Sequence, residues 1–239
     1  TDLLLKNTTF QVNGVMNYRN FETEGNVTIT GSGTVAVNQS ISLHKANTLR
    51  PAHTLTITPN AGGSIQFIAN RDIYVGSAKN PTININAGCT LYSRANNNIN
   101  DILQFNGSNT AVNTAQVFSR RQILVQGGAN LLTDNVLFVD ASIDTANNLI
   151  QISGSSDITT VDGVLISISA RSPAIKIVAG GTAANETLIQ GLVYAYNSTG
   201  STCEIEDATI QGSVVCQNFQ DDRLLNVIIQ YDADQLPSP

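Results

Sequence analysis

Five aspartates are spread over the middle of the chain, at Asp134, Asp140, Asp144, Asp157 and Asp162. Hydrolysis of a glycosidic bond needs two carboxyl groups a few ångströms apart, one acting as an acid and the other as a base or nucleophile. These five stand among strand-like and turn-like segments, so a catalytic site requires the fold to bring two or three of them into one groove beside a basic residue. A calcium role has little support, since the Gly-rich calcium-binding nonapeptide is absent.

For the other side chains that could act as catalysts or metal ligands, the sequence predicts structural roles. Asp221 and Asp222 stand beside Arg223, and a solvated turn is expected for them, because neighbours on a strand point to opposite faces. His44 and His53 have no carboxylate or cysteine at ligand spacing, so surface or turn positions are expected. No serine hydrolase, zinc protease or nucleotide-binding motif occurs, and no cofactor is expected.

Three cysteines are present, at Cys89, Cys203 and Cys216. Cys203 and Cys216 enclose a short segment that could fold back on itself, so hairpin or adjacent-coil positions would place the two sulfurs within bonding range. Such a bond would imply an oxidising compartment. The alternative is three buried thiols that act as small apolar fillers.

Threonines alternate with apolar residues in two segments, Thr28-Ile29-Thr30 and Thr54-Leu55-Thr56-Ile57-Thr58. The pattern is similar to the threonine ladders of ice-binding solenoids. Two such elements do not make a flat array, so we expect ordinary outward-facing strand threonines.

Short alternating segments of this kind recur along the whole chain. Each has three to five residues with apolar side chains two positions apart, ends in Gly, Asn or Ser, and resembles Asn26-Val27-Thr28-Ile29-Thr30 or Gln122-Ile123-Leu124-Val125. A period of two predicts half-buried strands. No helical segment separates them, so an all-β architecture is expected and a βαβ arrangement is excluded.

Two all-β architectures compete. A sandwich or jelly roll uses longer strands and hairpin turns such as Asn-Gly, of which few occur here. A parallel β-solenoid uses short strands, Asn and Gly turns and few charges. The sequence favours the solenoid, with coils of about 20 residues that vary in length. One domain over 1–239 is expected, with a loop excursion around 95–115, where an Asn-rich stretch is followed by a Gly107-to-Ala115 stretch.

Composition supports this choice and limits the partners. The 239 residues include 27 Asn and 24 Thr but only 13% charged residues, with a formal net charge of −6. Asn and Thr compete for local backbone hydrogen bonds, which disfavours helices. The negative charge and the lack of a basic run beyond Arg120-Arg121 argue against nucleic acid. No stretch reaches the ~18 apolar residues of a membrane span.

The C-terminal third has the most regular sequence pattern: Gly191-Leu192-Val193-Tyr194-Ala195, then 203–216 with Ala208-Thr209-Ile210-Gln211-Gly212, then 225–232 ending in Tyr231-Asp232. This pattern resembles the end of surface-exposed β-solenoid domains of bacterial type IV pilus-associated proteins of the PilX type. It is more loosely similar to the polymer-forming bactofilins.

The resemblance implies a single-stranded, right-handed parallel β-helix outside the cytoplasmic membrane, attached in the full-length protein through a missing N-terminal pilin-like helix. Ile205, Ile210 and Val214 would line the core, and Gly191 and Gly212 would lie at corners.

The functional expectation is a non-catalytic structural or adhesive module of a pilus or cell-surface assembly. Its partners would be other pilus or surface proteins, or glycans. A polysaccharide lyase or hydrolase and a bactofilin-like polymer-forming protein are the alternatives, and the polymer would require reduced Cys203 and Cys216.

Overall fold

The computed structural model describes most of the chain. Described are residues 1–45, 53–94, 101–113, 115–139, 149–154, 159–169, 172–178, 187–196, 202–225 and 227–230. Within these ranges, the side chains of residues 133, 134, 159 and 220–225 are not described.

Strands account for nearly all of the described secondary structure. The 21 strands are β1 (Leu3–Tyr18), β2 (Phe21–Val37), β3 (Ile41–Leu43), β4 (Thr54–Pro59), β5 (Ile65–Ala69), β6 (Ile73–Gly76), β7 (Thr82–Ile85), β8 (Cys89–Ser93), β9 (Ile102–Asn106), β10 (Thr110–Asn113), β11 (Gln116–Ser119), β12 (Gln122–Gln126), β13 (Asn130–Val139), β14 (Leu149–Ser153), β15 (Thr159–Ser167), β16 (Ile175–Val178), β17 (Thr187–Ala195), β18 (Thr202–Glu206), β19 (Ala208–Cys216), β20 (Asn218–Leu225) and β21 (Ile228–Gln230). No helix in the described part of the chain is long and apolar enough to cross a membrane.

The chain winds into a parallel β-helix, which confirms the predicted solenoid and rules out the sandwich. Each strand pairs in parallel with the strand one coil before it and the strand one coil after it, as β12 does with β9 and β14. The described strands form ten stacked coils, which contain β1; β2; β3 to β5; β6 to β8; β9 to β11; β12 and β13; β14 and β15; β16 and β17; β18 and β19; and β20 and β21. Connections between parallel strands are right-handed in nearly all proteins, which is the hand that the resemblance implies.

Three faces run along the stack, here named A, B and C in the order in which the chain visits them. Face A contains the starts of β1 and β2, then β3, β6, β9, β12, β14, β16, β18 and β20. Face B contains the middles of β1 and β2, then β4, β7 and β10, the starts of β13, β15, β17 and β19, and β21. Face C contains the ends of β1, β2, β13, β15, β17 and β19, with β5, β8 and β11.

The core fills the space inside the three faces. Along each strand, every second side chain points inward and is buried, as in the alternating pattern of β17. Stacked inward residues form apolar columns, for example Ile73, Leu103, Ile123, Ile150 and Ile175 on face A, all fully buried. Ile205 and Ile210 are buried as predicted, and Val214 packs partly buried against the core.

Glycines form a column at the corner between faces B and C. Gly163, Gly191 and Gly212 are stacked in register with φ between 133° and 148°. A Cβ on Gly191 would overlap the carbonyl oxygen of Gly163, and one on Gly212 would overlap that of Gly191. The predicted corner positions of Gly191 and Gly212 are therefore confirmed, and close backbone stacking is the reason for the glycine.

Asn135 begins the same column one coil below Gly163. Its buried Nδ2 donates to the carbonyl oxygens of Val112 and Leu132, and its Oδ1 accepts from the backbone N–H of Ala115. The side chain thus satisfies backbone groups that the turn of the coil leaves unpaired.

Several local predictions were wrong. Residues 110–113, expected in a loop excursion, form strand β10, in which Thr110 and Val112 are buried and Ala111 and Asn113 point outward. The Thr-Ala-Val-Asn sequence alternates as a strand does, but it contains a single strongly apolar residue. The signal for a strand in the sequence is therefore weak. Residues 95–100 of the predicted excursion lie outside the described part. The backbone of Asp221 and Asp222 lies within strand β20 rather than in a turn, at a register shift opposite β18.

Candidate functional site: an uncharged threonine face

The outer surface of face B in coils 1–4 carries a two-dimensional set of threonines, here called the threonine face. Burial of Ile29, Leu55 and Ile57 in the core forces the alternate residues of the same strands to point outward. The parallel register then places Thr28 against Thr56 and Thr30 against Thr58. Its outward residues are Thr9, Gln11, Thr28, Thr30, Thr54, Thr56, Thr58, Thr82 and Asn84.

Two rows of this surface run parallel to the axis of the stack. One row is Thr9, Thr28, Thr56 and Asn84, and the second is Gln11, Thr30 and Thr58. Neighbouring coils are about 4.8 Å apart and alternate residues on one strand are about 6.7 Å apart, so hydroxyl and amide groups repeat on a regular lattice. The threonines are partly or fully exposed.

Asparagines form the border of this surface at the corner between faces A and B. The Oδ1 atom of Asn7 accepts from the backbone N–H of Asn26 at 2.9 Å, and the Oδ1 atom of Asn26 accepts from the backbone N–H of Thr54 at 3.0 Å. Asn86, which follows β7 at the opposite end of the strand, continues the row of Gln11, Thr30 and Thr58. Its Nδ2 donates to the Oγ1 of Thr58 at 2.8 Å. These bonds connect one coil to the next and hold the outward groups in fixed positions.

A shallow depression of about 490 Å³ opens on this surface beside the asparagine border. It is lined by Asn7, Thr8, Thr9, Asn26, Val27, Thr28, Thr54 and Thr56. Hydroxyl and amide groups both donate and accept hydrogen bonds. The lining is thus suited to a neutral, polyhydroxylated ligand rather than to an ion.

Charge is nearly absent from face B. Among its described outward positions, Asp162 on β15 is the one ionisable side chain. Asp162 is followed along the stack by Gln190 and Gln211, whose side chains bond to each other at 2.9 Å. A ligand on the threonine face, in coils 1–4, therefore meets dipoles and methyl groups rather than a charged side chain.

Thr28, Thr30, Thr54, Thr56 and Thr58 face outward, as predicted. The two threonine segments were not expected to make an array by themselves, and the rows of the threonine face extend over further strands. The array also needs Thr9 and Thr82, which the two threonine segments do not contain. Because 20 residues separate Phe21 from Ile41 but 32 separate Ile41 from Ile73, no fixed period in the sequence aligns these strands.

The candidate carboxylates are only partly placed. Asp162 lies on face B, and Asp134 lies in strand β13, although its side chain is not described. Asp140, Asp144 and Asp157 lie outside the described residues, so their convergence in a groove stays a prediction. Within the described residues, no group of three or more His, Cys, Asp and Glu side chains could hold a metal ion.

His44 was predicted at a surface or turn position; it lies at a bend after β3, but its side chain is fully buried rather than at the surface. Its Nδ1 is 2.7 Å from the Oγ1 of Thr23, and its Nε2 is 2.8 Å from the carbonyl oxygen of Gly25. The carbonyl accepts from Nε2–H, so Nδ1 accepts from the threonine hydroxyl. Burial lowers the pKa of His44, and the ring acts as a neutral bridge within the core.

The predicted cysteine pair is joined in the structure. A disulfide links Cys203 to Cys216, with the two Cα atoms 6.1 Å apart. Cys203 begins coil 9 on face A and Cys216 ends it on face C. The remaining cysteine, Cys89, is free and buried, and burial raises its thiol pKa to about 12.

Comparison with known proteins adds no relative. No protein-family model, no curated protein and no solved structure matches the chain.

Proposed function

We propose that the chain is a non-catalytic structural and adhesive module of a pilus or another bacterial cell-surface assembly, and that it binds a neutral glycan through the threonine face. The observation that carries this proposal is the alignment of Thr9, Thr28 and Thr56 in one row on an uncharged surface. A rigid stack of coils holds such a row without the entropy cost of ordering a loop.

The disulfide supports a location outside the cytoplasm. Bonds such as Cys203–Cys216 persist in oxidising compartments and are rare in the cytosol. The same bond argues against a bactofilin-like cytoskeletal polymer, for which reduced cysteines are expected. For a polysaccharide lyase or hydrolase, Asp162 is the one candidate carboxylate whose side chain is described, and Gln190 and Gln211 follow it along the stack.

Removal of two hydroxyl groups tests the glycan-binding proposal. Thr28→Val with Thr56→Val keeps the β-branched shape and the strand preference but deletes two hydrogen-bonding groups. The wild-type chain is screened against neutral bacterial and host polysaccharides on a glycan array, and hits are measured by calorimetry. We expect the double variant to bind the best glycan at least ten-fold more weakly.

The matched control is Thr160→Val with Thr209→Val, the same change at two outward strand threonines of face B in coils 7 and 9, outside the threonine face. This variant should bind like the wild type. Failure of the wild type to bind any neutral glycan, or equal binding by the Thr28/Thr56 variant, would contradict the proposal.

A further inference from the structure

The outer surface of face C is apolar, unlike the threonine face. In register, one row of outward residues reads Ala36, Ile68, Tyr92, Phe118, Phe138, Ile166, Tyr194 and Val215. The second row reads Thr34, Gln66, Thr90, Gln116, Val136, Val164, Leu192 and Ser213. We call these sixteen positions the apolar face.

The apolar face has a polar part and a strictly apolar part. In coils 2–5, one row is Thr and Gln, whereas coils 6–8 carry Val136, Val164 and Leu192 in that row. Alongside them lie Phe138 and Ile166. All of these side chains are partly exposed on the outside of the stack. Contiguous apolar surface of this kind marks an interaction site in soluble proteins.

Neighbouring rings cover one another along the row. Phe118 contacts Tyr92 edge to face with ring centroids 6.4 Å apart, and it contacts Phe138 with centroids 6.1 Å apart. Such contacts restrict the movement of the rings, so this part of the apolar face is preformed. A partner that covers it pays little to order these side chains.

The size of the face agrees with a weak dimer. Eight coils at about 4.8 Å make a length of about 38 Å, and a five-residue strand adds a width of about 15 Å. Each copy would bury roughly 500 Å², or about 1,000 Å² for two copies, which is near the lower limit for a specific interface. An association in the micromolar range suits that area and its apolar character.

Charge favours a second copy over other occupants. None of the sixteen positions is Asp, Glu, Lys, Arg or His. Two copies with a net charge of −6 each can therefore meet here without placing like charges in contact. A lipid surface is usually bound by apolar residues surrounded by Lys and Arg, and the face itself carries neither. A glycan needs hydrogen-bonding groups, which coils 6–8 present only at the hydroxyl of Tyr194.

We infer that the protein forms a reversible homodimer in which the apolar faces of two copies pack against each other, with Phe138, Ile166 and Leu192 at the centre of the contact. Two sheets packed face to face lie about 10 Å apart with their strands nearly aligned. The threonine face of each copy stays open, because it lies on a different side of the coil.

Analytical ultracentrifugation of the oxidised 239-residue chain tests the dimer over low to several hundred micromolar concentrations. The weight-average mass should rise from one copy toward two. Ile166→Thr with Leu192→Thr keeps β-branched or strand-compatible side chains and should raise the dissociation constant at least ten-fold. The matched control, Ile102→Thr with Leu124→Thr, makes the same changes at outward positions of face A and should dimerise like the wild type.

Circular dichroism and thermal unfolding establish that each variant is folded. Added salt should leave the wild-type dimer intact or strengthen it, since it screens the repulsion between two negative copies. A wild type that stays monomeric at every concentration would overturn the inference, as would a dimer that the Ile166/Leu192 variant forms equally well. Co-sedimentation of a monomeric wild type with neutral phosphatidylcholine vesicles would show that the face takes a lipid surface instead.

Discussion

At the residue scale, the outward threonines and the buried His44 differ in how far the sequence could predict them. Outward threonines are fixed by the alternation of the strand and could be predicted one by one. The burial of His44 could not, because it depends on Thr23 and Gly25 of the preceding coil, which lie 21 and 19 residues away. A histidine with no ligand nearby in sequence gives no signal of such a bridge.

The His44 bridge predicts acid sensitivity. Burial holds the pKa of folded His44 below its ordinary value, so the unfolded chain takes up a proton first as the pH falls. The stability that this residue contributes is complete above about pH 6.5, the pKa of an unfolded histidine, and is lost from there down to the lower pKa of the folded protein. The slope of the free energy of unfolding should reach at most about 1.4 kcal/mol per pH unit.

Urea unfolding at a series of pH values between 5 and 8 measures this slope. His44→Asn serves as the comparison, since Asn tolerates the left-handed backbone at this position, where φ is 59°. The variant should be less stable at pH 8 and should lose this part of the pH dependence. An unchanged slope in the variant would contradict a buried neutral imidazole.

Gly191 predicts a large effect of one methyl group. Gly191→Ala combines strain at φ 136° with overlap between the new Cβ and the carbonyl of Gly163, and we expect a loss of about 2 kcal/mol or more in the free energy of unfolding. Gly62→Ala is the control, because Gly62 has φ 70° but open space around it, so about 1 kcal/mol is expected. Equal losses in urea titrations would show that the stacking contact is unimportant.

At the element scale, the strands were predictable and their pairing was not. Alternation in segments such as Gln122–Gln126 indicates both the strand and its buried side. Which strands lie in one face depends on how many residues each coil contains, and neighbouring coils differ widely in this number. The sequence therefore gives the parts of the threonine and apolar faces but not their alignment.

The disulfide acts on one element, coil 9. It joins the start of that coil to its end, so it restricts the unfolded chain over a loop of 13 residues. Closure of a loop of this size contributes about 3 kcal/mol. Reduction, or replacement of Cys203 and Cys216 by Ala, should lower the free energy of unfolding by about that amount.

Chemical unfolding with and without a phosphine reductant measures the effect. The reductant should destabilise the wild type and leave the double-alanine variant unchanged. A thiol assay on the native wild type should detect almost no reactive thiol, because Cys89 is buried and its pKa is raised to about 12. If the reductant leaves the free energy of unfolding of the wild type unchanged, the prediction that the disulfide stabilises the fold is wrong.

At the scale of the whole molecule, low charge and abundant Asn and Thr predicted the parallel β-helix correctly. The grouping of outward side chains into distinct faces could not be predicted, because it depends on the register in which neighbouring coils pair. An uncharged polar face and an apolar face lie on adjacent sides of one stack, and each contributes a different mode of contact. If both proposals hold, a dimer displays two threonine faces, and binding to a repetitive glycan gains avidity from the second site.

Variation in coil length is greatest at two of the three corners. Between faces B and C the chain turns within a continuous strand in β2, β13, β15, β17 and β19, and the longest connection there is the five residues between β4 and β5. Ten residues separate β3 from β4 between faces A and B, and nine separate β13 from β14 between faces C and A. Extra sequence, such as an epitope or a passenger peptide, can thus accumulate during evolution at those two corners while the surfaces on both sides of the third keep their geometry.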